Sequence, residues 1–391
     1  HLLGPNGSMG AWLALALGSE GPFMGFLSVG GAIWVLGLWA YPVVALFMLA
    51  ALDALSPELV EQALLAGGWR AALRQVAWPS AAPALGGAAL LVFILALGDF
   101  GVASFLGVQV YTAEIMLRFG AFYDVGAGLR ALLPLALLSA LGYALLRRLT
   151  ARYDAAPLHV APGPLRRVSP GRLGWPAAAL VLLPVLLATL VPLGALAARA
   201  PALRDYVHAW STAQRQVFNS ALYGTLAALV ALAAAWPLAR AIARGPVRLQ
   251  GAVQTLNLGL LAVPGLALGM GLIRLWNRAG PLGWVYGSPL MVIMAGALRG
   301  LPLAALALAL AWRRLPGEVE EAALVAGASP AMARRHVVAP LLRPGIATAW
   351  ALACYRALTD METAVLVHAP GDDTLPVRLY TLQHDGQAEH V

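Results

Sequence analysis

Long apolar stretches separated by short polar segments dominate the chain. A hydrocarbon layer about 30 Å thick takes about 20 residues in a helix, and eight stretches approach or exceed this length. They cover 26–51, 82–107, 131–148, 175–198, 217–239, 251–273, 289–312 and 345–367. The pattern predicts an all-α, polytopic membrane protein with about eight transmembrane helices.

Composition supports this prediction and argues against a soluble protein. Sixty per cent of the 391 residues are hydrophobic and 11% are charged, whereas soluble domains carry about 25% charged residues. The mean hydropathy is +0.76. The single cysteine, Cys354, lies in an apolar stretch and cannot form an internal disulfide.

The arginines are distributed unequally between the two sides of the predicted membrane. The segments 52–81, 147–174, 240–250 and 313–344 hold 16 arginines and 7 acids, while the opposite side holds 8 of each. Since positive loops stay in the cytoplasm, these four segments are predicted to be cytoplasmic. The basic pI therefore reflects membrane topology, and no nucleic-acid partner is expected.

One cytoplasmic segment occurs twice, with an offset near 260 residues. The copies read SPELVEQA at 56–63 and PGEVEEAA at 316–323. Six predicted spans separate the copies, so both face the same side and the two halves are parallel repeats; inverted repeats would need an odd number. Acids and a glycine recur at matching positions: Glu58 and Glu318, Glu61 and Glu321, Gly67 and Gly327.

Each copy has the sequence features of a helix, a tight turn and a second helix. In the first copy, Ser56 is a good N-cap residue and Pro57 fits the first helical position. This helix is expected to end near Gly67–Gly68, where glycine supplies a left-handed conformation. In the second copy, Ser329–Pro330 is expected to restart a helix.

These segments resemble the EAA loop of binding-protein-dependent ABC importer permeases. The second copy, EEAALVAGASPAMARRHVVAPLLRPGI at 320–346, matches it well, and ELVEQALLAGGWRAALRQVAWPSAAPAL at 58–85 is a weaker copy. The resemblance identifies the loop glutamates, the alanines and the turn glycines, with Gln62 departing from the first alanine. Together with the neighbouring acids, the expected ATPase-docking residues are Glu58, Glu61, Ala63, Gly67, Glu318, Glu321, Ala322, Ala323 and Gly327.

The resemblance implies a fused permease of the type I, MetI-like fold in a bacterial inner membrane. Its expected partners are two copies of an ABC ATPase subunit, a periplasmic or lipid-anchored solute-binding protein, and membrane lipid. Ferric iron is the implied solute, with thiamine, a phosphonate, a polyamine or an oxyanion as alternatives. The external segments 108–119 and 371–382 resemble gate helices. The chain has no GxxxxGK phosphate loop, so ATP hydrolysis is expected in a separate subunit, and we expect no cofactor, resident metal or catalytic residue.

The repeat also suggests how the chain is divided. Residues 1–149 are expected to form the C-terminal part of the first permease repeat, 150–174 a cytoplasmic linker, and 175–391 a second repeat lacking its last helix. Completing both halves to six spans would need three further spans before His1 and one after Val391.

Five charged residues fall inside the predicted spans, where charge is costly and usually functional. With the offset of 261 that applies beyond the loop, Asp99 matches Asp360. One interpretation places both aspartates along the solute pathway, and the other makes them packing carboxylates paired with Arg299 or Arg356. The two interpretations are compatible. The pathway candidates are Asp99, Asp360, Glu362, Arg299 and Arg356.

Two other classes of protein were weighed against the ABC permease. A secondary carrier with parallel halves would need no ATPase and no pair of matched docking loops. A polytopic membrane enzyme would need a convergent catalytic set, and the scattered histidines at 159, 208, 336 and 368 have no metal-site spacing.

Overall fold

The computed structural model describes residues 28–53, 55–120, 125–154, 174–199, 203–280 and 283–385. All regular structure in these ranges is helical. The helices before the predicted linker are α1 Val29–Asp53, α2 Pro57–Ala71, α3 Trp78–Leu97, α4 Gly101–Phe105, α5 Tyr111–Gly120 and α6 Val125–Asp154. Those after it are α7 Gly174–Val185, α8 Val191–Arg199, α9 Leu203–Arg244, α10 Val247–Ala262, α11 Gly265–Trp276, α12 Pro289–Arg314, α13 Gly317–Val325, α14 Pro330–Ala333, α15 Ala339–Leu341, α16 Arg343–Leu358, α17 Met361–Val367 and α18 Leu375–Asp385. Ala72–Ala77, Leu186–Leu190 and Arg334–Val338 are π-helical, and Gly283–Val285 is a 3₁₀ turn.

The number of membrane-crossing helices confirms the predicted polytopic architecture. In the described ranges, six helices are long and apolar enough to cross a membrane, or eight if each of two bent pairs forms one span. Large apolar side chains remain exposed along these helices, as for Trp175 and Leu180 of α7, which are 87% and 74% exposed. Such exposure is expected where a helix faces lipid.

Three spans predicted to be continuous are broken, so that part of the prediction is wrong. The stretch 82–107 ends its first helix at Leu97 and restarts at Gly101, and 345–367 breaks at Thr359 and Asp360. The third, 251–273, bends by 98° between α10 and α11. Hydropathy cannot show these breaks, because the residues on both sides of each break are apolar.

The bend between α10 and α11 has a local cause in the backbone. Pro264 lacks a backbone N–H, and the residue before a proline is disfavoured in the α conformation. Val263 accordingly has extended geometry, with φ −68° and ψ 122°. The helix therefore ends at Ala262, and a new helix begins at Gly265.

The described chain clusters into two compact units. One unit comprises the residues up to Glu114 together with Leu137–Val207, and the other comprises Ile115–Ala136 with His208–Val391. In the first unit, α6 packs closely on α3 at Gly142, where an added Cβ would lie 3.0 Å from Ile94. The predicted division into two repeats and a linker stays a prediction.

The core of the second unit is built on close packing of α12 against α16. Gly296 and Gly300 are spaced four residues apart on α12, the spacing that lets membrane helices approach closely. An added Cβ at either position would lie 3.0 Å from the Cβ atom of Ala357 or Ala353. The small residues thus set the distance between the two helices.

The two segments that are predicted to dock an ATPase, called the docking segments below, fold through a matching order of elements, in agreement with the predicted parallel repeat. A docking helix, α2 or α13, leads through a π-helical segment into a longer helix, α3 or α16. Each longer helix ends at a break, followed by the short helix α4 or α17 and then by α5 or α18. The segments 108–119 and 371–382 are expected to be gate helices. In agreement, they contain most of α5 and α18.

Candidate functional site

The first docking segment is a helix that kinks at two glycines. α2 begins at Pro57 after Ser56, whose backbone is extended (φ −70°, ψ 129°) but whose side chain makes no capping hydrogen bond. Helical geometry stops at Gly67 and Gly68, and Gly68 has a φ of 67°. The left-handed residue is therefore Gly68, one position after the predicted turn glycine. Glycine suits this position because it has no Cβ to oppose positive φ.

The second docking segment contains the turn that the sequence predicts. α13 ends at Val325, and Gly327 has a φ of 91°. Ser329 then caps α14, because its hydroxyl accepts a hydrogen bond from the backbone N–H of Met332 at 3.3 Å. The expected restart of a helix at Ser329–Pro330 is confirmed.

The acidic docking residues are accessible in both copies, whereas the alanines differ in burial. Ala63 is buried, Ala323 is half-buried and Ala322 is exposed. Small residues on such a helix permit close approach of another surface. The four exposed acids are Glu58, Glu61, Glu318 and Glu321.

An exposed apolar residue precedes the turn at the same position of each copy. Leu65 is 89% exposed and Val325 is 88% exposed. Each lies two residues before the glycine that the resemblance marks, Gly67 or Gly327. The sequence contained this signal in the repeat alignment, but only the structure shows that both side chains project away from their own unit.

A further acid of the second docking helix holds that helix to α9. Glu320 Oε1 accepts a hydrogen bond from Arg240 at 3.0 Å, and its Oε2 atom accepts one from Arg244 at 3.1 Å. The Glu320 side chain is 15% exposed. Both guanidinium groups lie over the ring of Trp312, 5.8 and 5.2 Å from its centroid. We call these four residues the Glu320 clamp.

No sequence pattern indicates this clamp. Glu320 aligns with Val60 in the first copy, so it is not one of the acids that the two copies share. Its two arginine partners lie 80 and 76 residues earlier in the chain. Only folding brings these residues together.

A buried charge cluster lies inside the second unit and contains four of the five predicted pathway residues. Arg299 approaches Asp360 at 3.6 Å and Glu362 at 3.5 Å, and Arg356 approaches Asp360 at 3.6 Å. The four side chains are between 4% and 20% exposed. Two arginines balance two carboxylates, so the cluster is neutral when all four are charged. The expected pairing of Asp360 with Arg299 and Arg356 is present, while a pathway role stays a prediction.

Arg299 of this cluster and the neighbouring Thr363 bind the backbone at the break between α10 and α11. Arg299 donates a hydrogen bond to the carbonyl of Val263 at 3.0 Å, and Thr363 donates one to the carbonyl of Gly265 at 3.3 Å. At Gly265 an added Cβ would lie 2.9 Å from the Cβ atom of Glu362. Irregular backbone at membrane depth needs such partners, because lipid offers none.

Asp99 occupies the matching break of the first unit, in a different environment. Its Oδ1 atom accepts a hydrogen bond from the backbone N–H of Val102 at 2.9 Å, which caps the short helix α4. Its backbone carbonyl accepts one from the hydroxyl of Thr112 at 3.2 Å. Asp99 is half-buried, whereas its counterpart Asp360 is buried.

The opposite end of α9 is tied to the segment that leads into α18. Ser220 accepts a hydrogen bond from the backbone N–H of Leu375 at 2.7 Å, and Asn219 donates one to the carbonyl of Asp373 at 3.2 Å. Both side chains lie in buried residues. Arg215 adds a weaker ion pair with Asp372 at 3.7 Å.

Metal-ligating side chains do not converge in the described part of the chain. No group of three or more His, Cys, Asp or Glu residues there is placed to hold a metal ion. In the buried cluster, the two carboxylates are instead neutralised by arginines.

The described helices and the two EAA-like segments agree with the permease architecture that the resemblance implies. Residues 11–155 match the family described as binding-protein-dependent transport system inner membrane component. This part of the chain is similar to that family of inner membrane components.

Three permease proteins of known transport systems are similar to the chain. A Fe(3+)-transport system permease protein of Haemophilus influenzae is 24% identical over 375 residues, covering 91% of this chain and 71% of the relative. A permease protein named for a 2-aminoethylphosphonate transport system in Salmonella paratyphi A is 28% identical over 130 residues, or 32% of this chain. A putrescine transport system permease protein of Escherichia coli K12 is 28% identical over 123 residues, or 31% of this chain.

The last two matches cover only part of each protein. They span 46% of the phosphonate-system relative and 44% of the putrescine-system relative. The similarity to the iron-system relative, in contrast, extends over both docking segments.

Proposed function

We propose that the chain forms the solute path of an ATP-driven importer and binds two ATPase subunits through its docking helices. The observation that carries this proposal is the matched pair of α2 and α13. Each presents exposed acids and a nearly fully exposed apolar side chain, Leu65 or Val325, beside a left-handed glycine turn. A single exposed apolar residue is ordinary on a protein surface, but its recurrence at the same position of both copies supports a surface that another protein covers.

The two kinds of side chain would contribute differently to docking. Leu65 and Val325 would lose their contact with water when a partner covers them, which favours association. The acids would pair with basic groups of the ATPase and fix its orientation. ATP-driven closure of the two ATPase subunits would then move both docking helices and open the solute path outward to a solute-binding protein.

Ferric iron is the solute that we propose. The proposal is supported by the iron-system relative, whose similarity covers 91% of this chain. Uptake of radioactive ferric iron by cells that express the complete system tests it. Uptake of radioactive 2-aminoethylphosphonate or putrescine, with no uptake of iron, would instead favour the solutes named for the shorter matches.

The proposal also gives five charged residues a role along the solute path. They are Asp99, Asp360, Glu362, Arg299 and Arg356. Asp99→Asn keeps the size of the side chain and removes its charge. Uptake at the wild-type rate by this variant would remove Asp99 from the pathway.

Docking is tested by placing a charge on the exposed apolar position. Val325→Glu in the chain that carries both docking segments is expected to reduce co-purification of the system's ATPase subunit by about tenfold, as for a central interface residue. Glu321→Arg is expected to have a similar effect. Val247→Glu is the matched control, because Val247 is 84% exposed on the same predicted side but lies outside the docking helices. Normal co-purification with both docking variants would contradict the proposal.

A further inference from the structure

The Glu320 clamp joins the second docking helix to the longest helix of the described chain. α9 has 42 residues and is therefore about 63 Å long. Arg240 and Arg244 lie near its C-terminal end, on the predicted cytoplasmic side. Arg244 also donates a hydrogen bond to the carbonyl of Leu315 at 2.7 Å, directly before α13.

The contacts around the clamp hold α13 in one position relative to α9. Trp312 is fully buried beneath the two guanidinium groups and packs edge-on against Trp236 of α9 at 5.8 Å. Arg313 adds a contact to the carbonyl of Ile242 at 3.4 Å. Two hydrogen-bonded ion pairs on one carboxylate restrict the docking helix more than a single exposed pair would.

The other end of α9 holds the outer segment. Asn219 and Ser220 bind the backbone at Asp373 and Leu375. Asn219 lies 21 residues before Arg240, a distance of about 32 Å along a helix, which is close to the thickness of the hydrocarbon layer. One helix thus contacts the docking region at one end and the segment before α18 at the other.

We infer that Glu320 is a positioning residue, which ties the docking helix α13 to α9 so that movement of a docked ATPase reaches the outer segment. This inference rests on the proposed docking function. Glu320 itself is largely buried against α9, unlike the exposed Glu318 and Glu321. Glu320 transmits movement between α13 and α9, whereas the exposed residues bind the ATPase.

The first test examines the clamp without an ATPase. The chain, with Cys354 replaced by serine, carries a spin label on a cysteine at position 326 and is placed in lipid nanodiscs. Glu320→Gln is expected to increase the mobility of this label, because α13 loses its attachment to α9. Unchanged mobility would overturn the clamp, whether or not an ATPase binds.

Charge reversal provides the matched control. Glu320→Arg is expected to release α13, and a second change, Arg240→Glu, is expected to restore part of the attachment by reversing one ion pair. Arg248→Glu in the same background should restore nothing, because Arg248 is an exposed arginine of α10 outside the clamp. Equal recovery with Arg240→Glu and Arg248→Glu would contradict a specific pair.

The second test examines transmission in the assembled complex. A spin label at the exposed position 379 of α18 reports the ATP-dependent change of the outer segment, independently of the solute. Glu320→Gln is expected to reduce the fraction of complexes that respond by between about two- and thirtyfold, the usual range for residues that modulate coupling. Co-purification of the ATPase should persist.

The outcomes separate the inference from the proposed function. Loss of the ATPase from the Glu320→Gln complex would overturn the positioning role and make Glu320 a docking residue. A full response at position 379 would overturn transmission through the clamp. Failure of the wild-type chain to bind any ATPase would contradict the proposed function, while the label at position 326 would still decide whether the clamp exists.

Discussion

Arg299 lies with its Nε atom 3.6 Å from the Oδ1 atom of Asp360, and both side chains are almost fully buried. The same guanidinium group approaches Glu362 at 3.5 Å through Nη2. Arg299 therefore contacts both acids at the break before α17, and together with Arg356 it balances their charges. A charge buried in this way is costly unless its partners remain.

Arg299→Gln is expected to destabilise the protein by about 3–5 kcal/mol, because it leaves the buried carboxylates with one excess negative charge. The double variant Arg299→Gln, Glu362→Gln should lose less, since it restores the charge balance. Thermal unfolding in detergent measures both. Arg215→Gln is the control, because its pair with Asp372 is exposed and should contribute less than about 1 kcal/mol. Equal losses from the single and double variants would contradict the charge-balance explanation.

Gly265→Ala is expected to destabilise the second unit by about 1–3 kcal/mol through overpacking. Its added Cβ would lie 2.9 Å from the Cβ atom of Glu362, which Arg299 holds in place. Gly271→Ala on the same helix has open space around the new methyl group. It should be neutral or slightly stabilising. Thermal unfolding of the two variants gives the comparison, and equal stability would show that α11 can move away from α17.

Ser220→Ala is expected to free the backbone N–H of Leu375 from its 2.7 Å hydrogen bond and to loosen the outer segment. The cost should be about 1–3 kcal/mol, because a buried donor loses its acceptor. Hydrogen exchange at the start of α18 should accelerate, while ATPase co-purification stays unchanged. Ser211→Ala is the control on the same helix, since Ser211 is exposed and bonds only to the preceding turn at His208. Equal exchange in both variants would argue against the attachment.

Cysteine labelling tests the sidedness that the arginine distribution predicts. In a chain with Cys354 replaced by serine, cysteines at positions 66 and 326 should react only with reagents on the cytoplasmic side. A cysteine at position 372 should react only from outside. Positions 66 and 326 are exposed in the structure, so burial does not prevent the reaction. Labelling of positions 66 and 326 from opposite sides would refute the parallel repeat.

The sequence by itself determined the helical membrane architecture and the positions of the two repeated loop segments. Hydropathy marks a span because about 20 consecutive apolar residues must satisfy their backbone within one helix. The turn at Gly327 and the cap at Ser329 were equally predictable, because positive φ and N-capping depend on one or two neighbouring residues.

Only the tertiary structure decided which side chains act together. The breaks at Asp99, Asp360 and Val263 lie within apolar surroundings, where a hydropathy average changes little. Glu320 contacts Arg240 and Arg244 across 80 and 76 residues. Arg299 contacts one acid at the break before α17 and another on α17 itself. Such pairs depend on how helices pack and on the burial that makes an unpaired charge costly, and neither is encoded in local residue spacing.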